Sequence, residues 1–271
     1  MPIYNQTLKD LLPLSLSSTP AVSIRKENEI WVATGMLIHH LESFADSLVV
    51  TEEDEKPIGV IGGREIIENI FKNPTSEFFD ETKVIQVMNK DLTIISEKIK
   101  LKELLEKWKQ TRRAFSIIPN NLGGYSAISG RKLLEIGANC TTNLTISELP
   151  QKEVTTFDLN DTMRDIINLM LEKNTRKLRL KNTNNFISDR LIIQTVAQDL
   201  NFFRNTKFLD QRIKKSFKLD EARKISKDVN LAEISKIMYG MLHPYIFFQD
   251  QVITPWDICM ALQSDRIEFL G

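Results

Sequence analysis

Residues 251–258 read QVITPWDI: two apolar residues, the hydroxyl of Thr254, then Pro255 and Trp256, the acid Asp257, and Ile258. The local chemistry predicts a strand that stops and a helix that starts. Thr254 suits an N-cap, Pro255 fits the first helical position, and Asp257 complements the positive end of the helix dipole. The same phrase stands at 59–66 (GVIGGREI), at 126–133 (SAISGRKL) and at 185–192 (NFISDRLI). Its small or hydroxyl position is Gly62, Ser129, Ser188 and Thr254 in turn, a period of about sixty residues running through the chain.

The flanking segments repeat with it. Leu101, Leu104, Leu105 and Trp108 fall at helical spacing on one face, as do Met163, Ile166, Ile167 and Met170, and Leu231, Ile234 and Met238. Ile30, Ala33, Leu37 and Leu41 follow the spacing more loosely. Each helix is followed by two short apolar runs about a polar turn (TEEDEKP, PNNLGG, KNTNN and QD), the pattern of a β-hairpin. A second amphipathic segment follows each hairpin, from Ile66, Leu133, Ile192 and Ile258. Lead-in strands are expected at Val22–Ile24, Leu92–Ile95, Val154–Phe157 and Lys224–Ser226. The repeating unit is therefore strand, helix, strand, strand, helix, an α/β (α+β) fold.

Composition narrows the function classes. Over 271 residues, 42% are hydrophobic and 27% charged, which predicts a packed core. Lys plus Arg equals Asp plus Glu at 36 each, so no net charge draws the chain to nucleic acid, and RIKK at 212–215 reads as solvated surface. No apolar run reaches the roughly 20 residues that span a bilayer, and no leader pattern opens the chain, so a soluble cytoplasmic protein is expected. Cys140 and Cys259 form no metal-ligand array, and no phosphate-loop, dinucleotide or nucleophile motif occurs. No enzyme activity, metal or required cofactor is expected.

The segments MNKDLTIISEKIKLKELLEKWKQTRRAFSII, LNDTMRDIINLMLEKNTRKLRL and ISKDVNLAEISKIM…HPYIFFQDQVITPWDI carry a resemblance to the CBS (cystathionine-β-synthase) domain over nearly the whole chain. With four copies, the architecture resembles that of the γ subunit of AMP-activated protein kinase. The resemblance implies repeats at 1–73, 83–139, 145–201 and 206–267, paired as two Bateman modules, 1–139 and 145–271. A polar loop is expected between them, near 139–145.

What the resemblance implies for function is regulation by an adenosine nucleotide (AMP, ADP, ATP or S-adenosylmethionine), read by a protein partner, with a homodimer open to it. The family motif sets a hydroxyl near the phosphate and, three residues on, an acid on the ribose hydroxyls. Thr254 and Asp257 match both positions. Gly62 and Glu65 match with the hydroxyl absent; Lys132 and Leu191 replace the acid elsewhere, so one or two ligands per chain are expected. Arg176 and Lys177 are implied as phosphate contacts for the Asp257 site, and Arg112 and Arg113 for the Glu65 site. The same residues also read as plain helix-end chemistry: Asp257 as a first-turn acid, the arginines as charges at helix C-termini. A ligand-free interaction scaffold is the alternative function, ahead of a nucleic-acid-binding regulator.

Overall fold

The computed structural model describes residues 1–12, 20–40, 46–120, 123–150, 152, 154–199, 203 and 207–269. Leu41, the Asn121–Leu122 tip of the second turn and the side chain of Lys215 lie outside them.

All four repeats form as the sequence predicts. The hairpins are Ser47–Thr51 with Pro57–Gly62, Phe115–Pro119 with Tyr125–Ser129, Lys177–Leu180 with Asn185–Ser188, and Ile246–Phe248 with Gln251–Ile253. A lead-in strand runs parallel to the first hairpin strand at Ser23–Arg25, Thr156–Phe157 and Arg223–Lys224; in the second repeat it shrinks to a single bridge, Ile94 to Ile117. The first helices are Ile30–His39, Leu101–Thr111, Met163–Glu172 and Leu231–Tyr239, and their apolar stripes are buried. The second helices are Gly63–Lys72, Gly130–Ala138, Asp189–Gln198 and Pro255–Ala261. Short strands alternate with helices because β-branched and aromatic residues concentrate beside the turns, while Leu, Met, Glu and Lys fill the longer periodic runs.

The chain divides into two compact units. One comprises Met1–Val22, Asp91–Glu153 and Arg223–Gly271 and holds the second and fourth repeats; the other comprises Ser23–Lys90 and Val154–Ala222 and holds the first and third. Inside the former, helix Gly130–Ala138 packs against Leu231–Tyr239 and Pro255–Ala261. Gly137 makes that approach close, since a Cβ there would lie 2.4 Å from the Ser235 hydroxyl. Inside the latter, helix Asp189–Gln198 packs against Ile30–His39 and Gly63–Lys72.

The segment ahead of each repeat's lead-in strand does not stay with it, although the bounds expected from the sequence (1–73, 83–139, 145–201 and 206–267) take most of these segments in. Residues 3–12 precede the first lead-in strand, yet Ile3, Leu8 and Leu11 are buried in one cluster with Leu101, Leu104 and Leu105 of the second repeat. Leu144, Ile146 and Leu149, ahead of the third repeat, bury against Leu231, Ile234 and Met238 of the fourth. In return, Ser76–Glu81 and Val84–Val87 pack on the first repeat, and Phe208–Asp210 packs on the third.

Each exchange is fixed by a reciprocal pair of backbone hydrogen bonds between two helix starts. Leu101 N–H donates to Gln6 O (3.0 Å) and Leu8 N–H to Ile99 O (3.0 Å). Ile30 N–H donates to Thr82 O (3.0 Å) and Val84 N–H to Asn28 O (2.8 Å). Met163 pairs with Gln211 (2.9 Å) and Ile213 with Asp161 (3.1 Å); Leu231 pairs with Leu144 (2.8 Å) and Ile146 with Val229 (3.1 Å). The first amides of a helix have no partner within it, so each pair satisfies two orphan donors at about 1 kcal/mol apiece.

The stretch 139–145 departs from expectation. Helix Gly130–Ala138 ends before it, but Cys140–Thr142 is a strand rather than a loop, antiparallel to Ile267–Phe269 at the C-terminal end. Its polar residues read as loop because the partner strand lies far away in sequence, beyond the last helix.

Candidate functional site

The signature phrase falls, in every repeat, where the second hairpin strand turns into the second helix. The small or hydroxyl residue is the N-cap each time: Gly62, Ser129, Ser188 and Thr254. What the N-cap does depends on the residue three places on. Where the acid is missing, the hydroxyl caps the helix: Ser129 Oγ accepts from Lys132 N–H (3.2 Å) and Ser188 Oγ from Leu191 N–H (3.3 Å). Where the acid is present it reaches back instead. Glu65 Oε2 accepts from Gly62 N–H at 2.9 Å. Asp257 Oδ2 accepts from Thr254 N–H at 2.9 Å and from the Thr254 hydroxyl at 2.6 Å. The first-turn reading of both acids is thus realised in the fold.

Asp257 is the better furnished of the two. It is 7% exposed, and its second oxygen, Oδ1, pairs with the ammonium of Lys152. Lys152 comes from the segment ahead of the third repeat, in the same compact unit. A buried carboxylate held by two donors and a cation is fixed in orientation. Nothing in the sequence singles out Lys152, 105 residues from its partner.

The second and third repeats are filled differently. Lys132, standing where an acid is needed, pairs with Glu135 at 2.9 Å, one helical turn on. Leu191 is buried. Their neighbours Arg131 and Arg190 are buried too, and each reaches across its own unit to a carbonyl after or within a first helix. Arg131 donates to Leu242 O and Arg190 to Leu37 O, both at 3.1 Å.

The basic residues fall as follows. Arg112 ends helix Leu101–Thr111 in the left-handed region (φ 52°) and is exposed; Arg113 beside it is half-buried. Both lie in the unit that holds Thr254 and Asp257. Arg176 and Lys177 lie in the unit that holds Gly62 and Glu65, where Arg176 Nε donates to Asp189 Oδ2 at 2.6 Å. The two basic pairs are not equivalent in register. Lys177 stands opposite the N-cap Ser188, whereas Phe115, two residues beyond Arg113, stands opposite the N-cap Ser129.

Both cysteines are buried, and burial pushes their thiols up, Cys140 to about 11, which holds them protonated. Among the described residues no helix is long and apolar enough to cross a membrane.

No family model matches the chain, and no curated protein matches it. Solved structures do. A Methanocaldococcus jannaschii protein, proposed as an archaeal homologue of γ-AMPK, aligns over 92% of this chain and 98% of its own with TM-score 0.73 and 15% identity. An uncharacterized conserved protein from Pyrococcus horikoshii covers the same shares at TM-score 0.55 and 11% identity. A CBS-domain protein from Agrobacterium tumefaciens aligns with 49% of the chain at 19% identity and TM-score 0.42. Two of these structures match over 92% of the chain, which itself holds four copies of the strand–helix–hairpin–helix unit. This chain has the fold of a four-repeat tandem CBS-domain protein, similar in architecture to the γ subunit of AMP-activated protein kinase.

Proposed function

We propose that the chain is a non-enzymatic regulatory protein of the cytoplasm that binds an adenosine nucleotide at the start of its fourth repeat and signals to a protein partner. The observation that carries this reading is the arrangement about Asp257: a buried, oriented carboxylate beside a hydroxyl at a helix start, with the ammonium of Lys152 on it. Arg176 and Lys177, read from the sequence as its phosphate contacts, fall in the unit of Glu65, while Arg112 and Arg113, read as contacts of Glu65, fall in the unit of Asp257. Such a carboxylate can accept both ribose hydroxyls, and a cation nearby suits the phosphate. Glu65 with Gly62 is the second candidate, and Lys132 and Leu191 leave the other repeats without the acid. Pairing of the repeats as modules 1–139 and 145–271 is part of the proposal, and the exchanged lead-in segments support it. Ligand would act by favouring one arrangement of the repeats, to the extent of its differential affinity for that arrangement.

The occupied state of Asp257 also favours a second reading, the ligand-free scaffold, because Lys152 and Thr254 already satisfy the carboxylate. Native mass spectrometry and calorimetry with AMP, ADP, ATP and S-adenosylmethionine separate the two. Saturable binding of one or two nucleotides per chain supports the regulator. No binding and no rise in melting temperature with any of them supports the scaffold.

A further inference from the structure

Helix Ile30–His39 is apolar on its outer side as well as its inner one. Ile30, Ala33, Thr34 and Leu37 form the buried face, while Trp31, Gly35 and His39 stand one turn apart in solvent. Trp31 is 50% exposed, Val32 and Ile38 flanking that row are half-buried, and the helix holds no acid, lysine or arginine. A helix apolar all round is ordinarily covered all round. The first helices of the other repeats are polar outside. One and five residues after the helix start, in place of Trp31 and Gly35, they carry Lys102 and Glu106, Arg164 and Asn168, and Ala232 and Lys236. Gly35 departs from rule in a second way. Glycine inside a helix weakens it, and close packing is the usual compensation. Gly137 has that compensation from Ser235, but a Cβ at Gly35 would meet nothing within 4 Å among the described residues.

An exposed indole and an open notch thus stand one turn apart on a single apolar face. Such a face is its own complement. Two copies packed antiparallel about a two-fold axis set Trp31 of each against Gly35 of the other, which is the reciprocal contact that a closed dimer requires. We propose that the outer face of helix Ile30–His39 is the interface through which the chain pairs with a second copy of itself. Two observations favour a copy over a different protein: the face supplies both knob and notch, and the helix carries no fixed charge that would repel its own image or select an oppositely charged surface. Trp31 is the anchor, because an indole brings a large rigid apolar area at small entropic cost. Ile85, 43% exposed, follows Val84 at the helix start paired with that of Ile30 and is a second apolar side chain in solvent. Ten residues of helix cover less than the roughly 1,200–2,000 Å² of a stable interface, so the pairing is reversible and concentration-dependent.

The test is sedimentation of the full chain, without nucleotide, over a range of protein concentrations. Wild type is expected to pass from monomer to dimer in the micromolar range. Trp31→Lys and Gly35→Glu each put on the first repeat the residue that the second repeat carries at the same position, Lys102 and Glu106. Both positions are exposed, so both variants should fold, and Gly35→Glu should melt no lower than monomeric wild type because it removes a helix glycine. Each is expected to weaken dimerisation at least about tenfold, the scale of losing an interface anchor. Wild type that stays monomeric at every concentration overturns the proposal and leaves the face to a different protein. A dimer that either folded variant leaves unchanged overturns it as well, by placing the contact elsewhere on the molecule. Neither Trp31 nor Gly35 has a part in the proposed nucleotide site, so failure of one reading leaves the other standing.

Discussion

The ammonium of Lys152 rests on the carboxylate of Asp257, joining the segment ahead of the third repeat to the start of the fourth repeat's second helix. Asp257 is 6% exposed at its side chain and Lys152 is 54% exposed, so the pair is buried at the acid and open at the base. The exposed partner can leave while the acid stays aimed by Thr254. On the proposed function, a ribose approaching Asp257 would displace an exposed side chain and leave the helix cap in place.

Asp257→Asn separates the cap from the ligand contact. The amide oxygen still accepts from Thr254 N–H, while the charge that ribose hydroxyls prefer is gone. Nucleotide affinity is expected to fall tenfold to a hundredfold, roughly 1.5–3 kcal/mol, while ligand-free stability falls by no more than the about 0.5–1 kcal/mol of the Lys152 pair. Calorimetry of the two proteins checks this, and equal affinities would leave Asp257 as a helix cap only. Asp257→Ala is the poorer variant, since it also strips the cap and costs about 0.5–2 kcal/mol of stability.

Lys152 and Asp257 should couple. Lys152→Met is expected to lower stability by about 0.5–1 kcal/mol, a modest figure because more than half of the lysine is in water. The effect should vanish in the Asp257→Asn background. A double-mutant cycle by denaturant unfolding measures it, and additive effects would mean the two do not interact in solution.

Gly63→Ala should be costly and Gly130→Ala mild. The first places a methyl 2.4 Å from a buried carboxylate oxygen; the second places it 3.2 Å from another methyl. Forcing an atom into the first position costs about 1–3 kcal/mol. Combining Gly63→Ala with Asp189→Ala should recover part of the loss, which thermal unfolding of the single and double variants would show.

Arg266 holds the Glu148 carboxyl down to about 2, from an ordinary 4.5, through a direct hydrogen bond, with Thr145 adding backbone and side-chain donors. A depressed acid stabilises the fold above its unfolded pKa, and that contribution disappears as pH falls toward the folded value. Arg266→Gln should therefore melt slightly below wild type at pH 6, with the gap closing between about pH 4.5 and pH 2. A gap independent of pH would assign the effect of Arg266 to its contacts with Asn143 instead.

Removing residues 1–12 should weaken the second repeat and spare the first. Hydrogen exchange is the measurement: amides at the start of helix Leu101–Thr111 should lose protection, while those of Ile30–His39 keep theirs. Loss of protection in both helices alike would contradict the exchange of lead-in segments.

The repeats were legible because three local signals coincide about every sixty residues: a helical stripe, a polar hairpin turn and a capped second helix. The two acids were legible as helix-start chemistry for the same reason. One feature was hidden by distance. A stripe such as Leu231, Ile234 and Met238 predicts a buried face without naming the helix it meets, so the packing of the fourth repeat on the second was out of reach. The lead-in helices are only about one turn long, too short to display a period. Thr7 with Asp10 and Thr145 with Glu148 did carry the capping-box pattern that marks them. Glu135 was within reach as the partner of Lys132, three residues on along one helix.

The exchanged helix starts set the grain at which this chain can be handled. While it is being synthesised, the first repeat cannot close its opening helix until Thr82 has emerged, and residues 3–12 have nowhere to dock until Leu101 arrives. The third and fourth repeats wait on each other in the same way, through Gln211 and Leu144. A cut between neighbours would leave open helix ends and bare apolar side chains on both fragments. Excision of a single sixty-residue copy would break two of these reciprocal contacts at once.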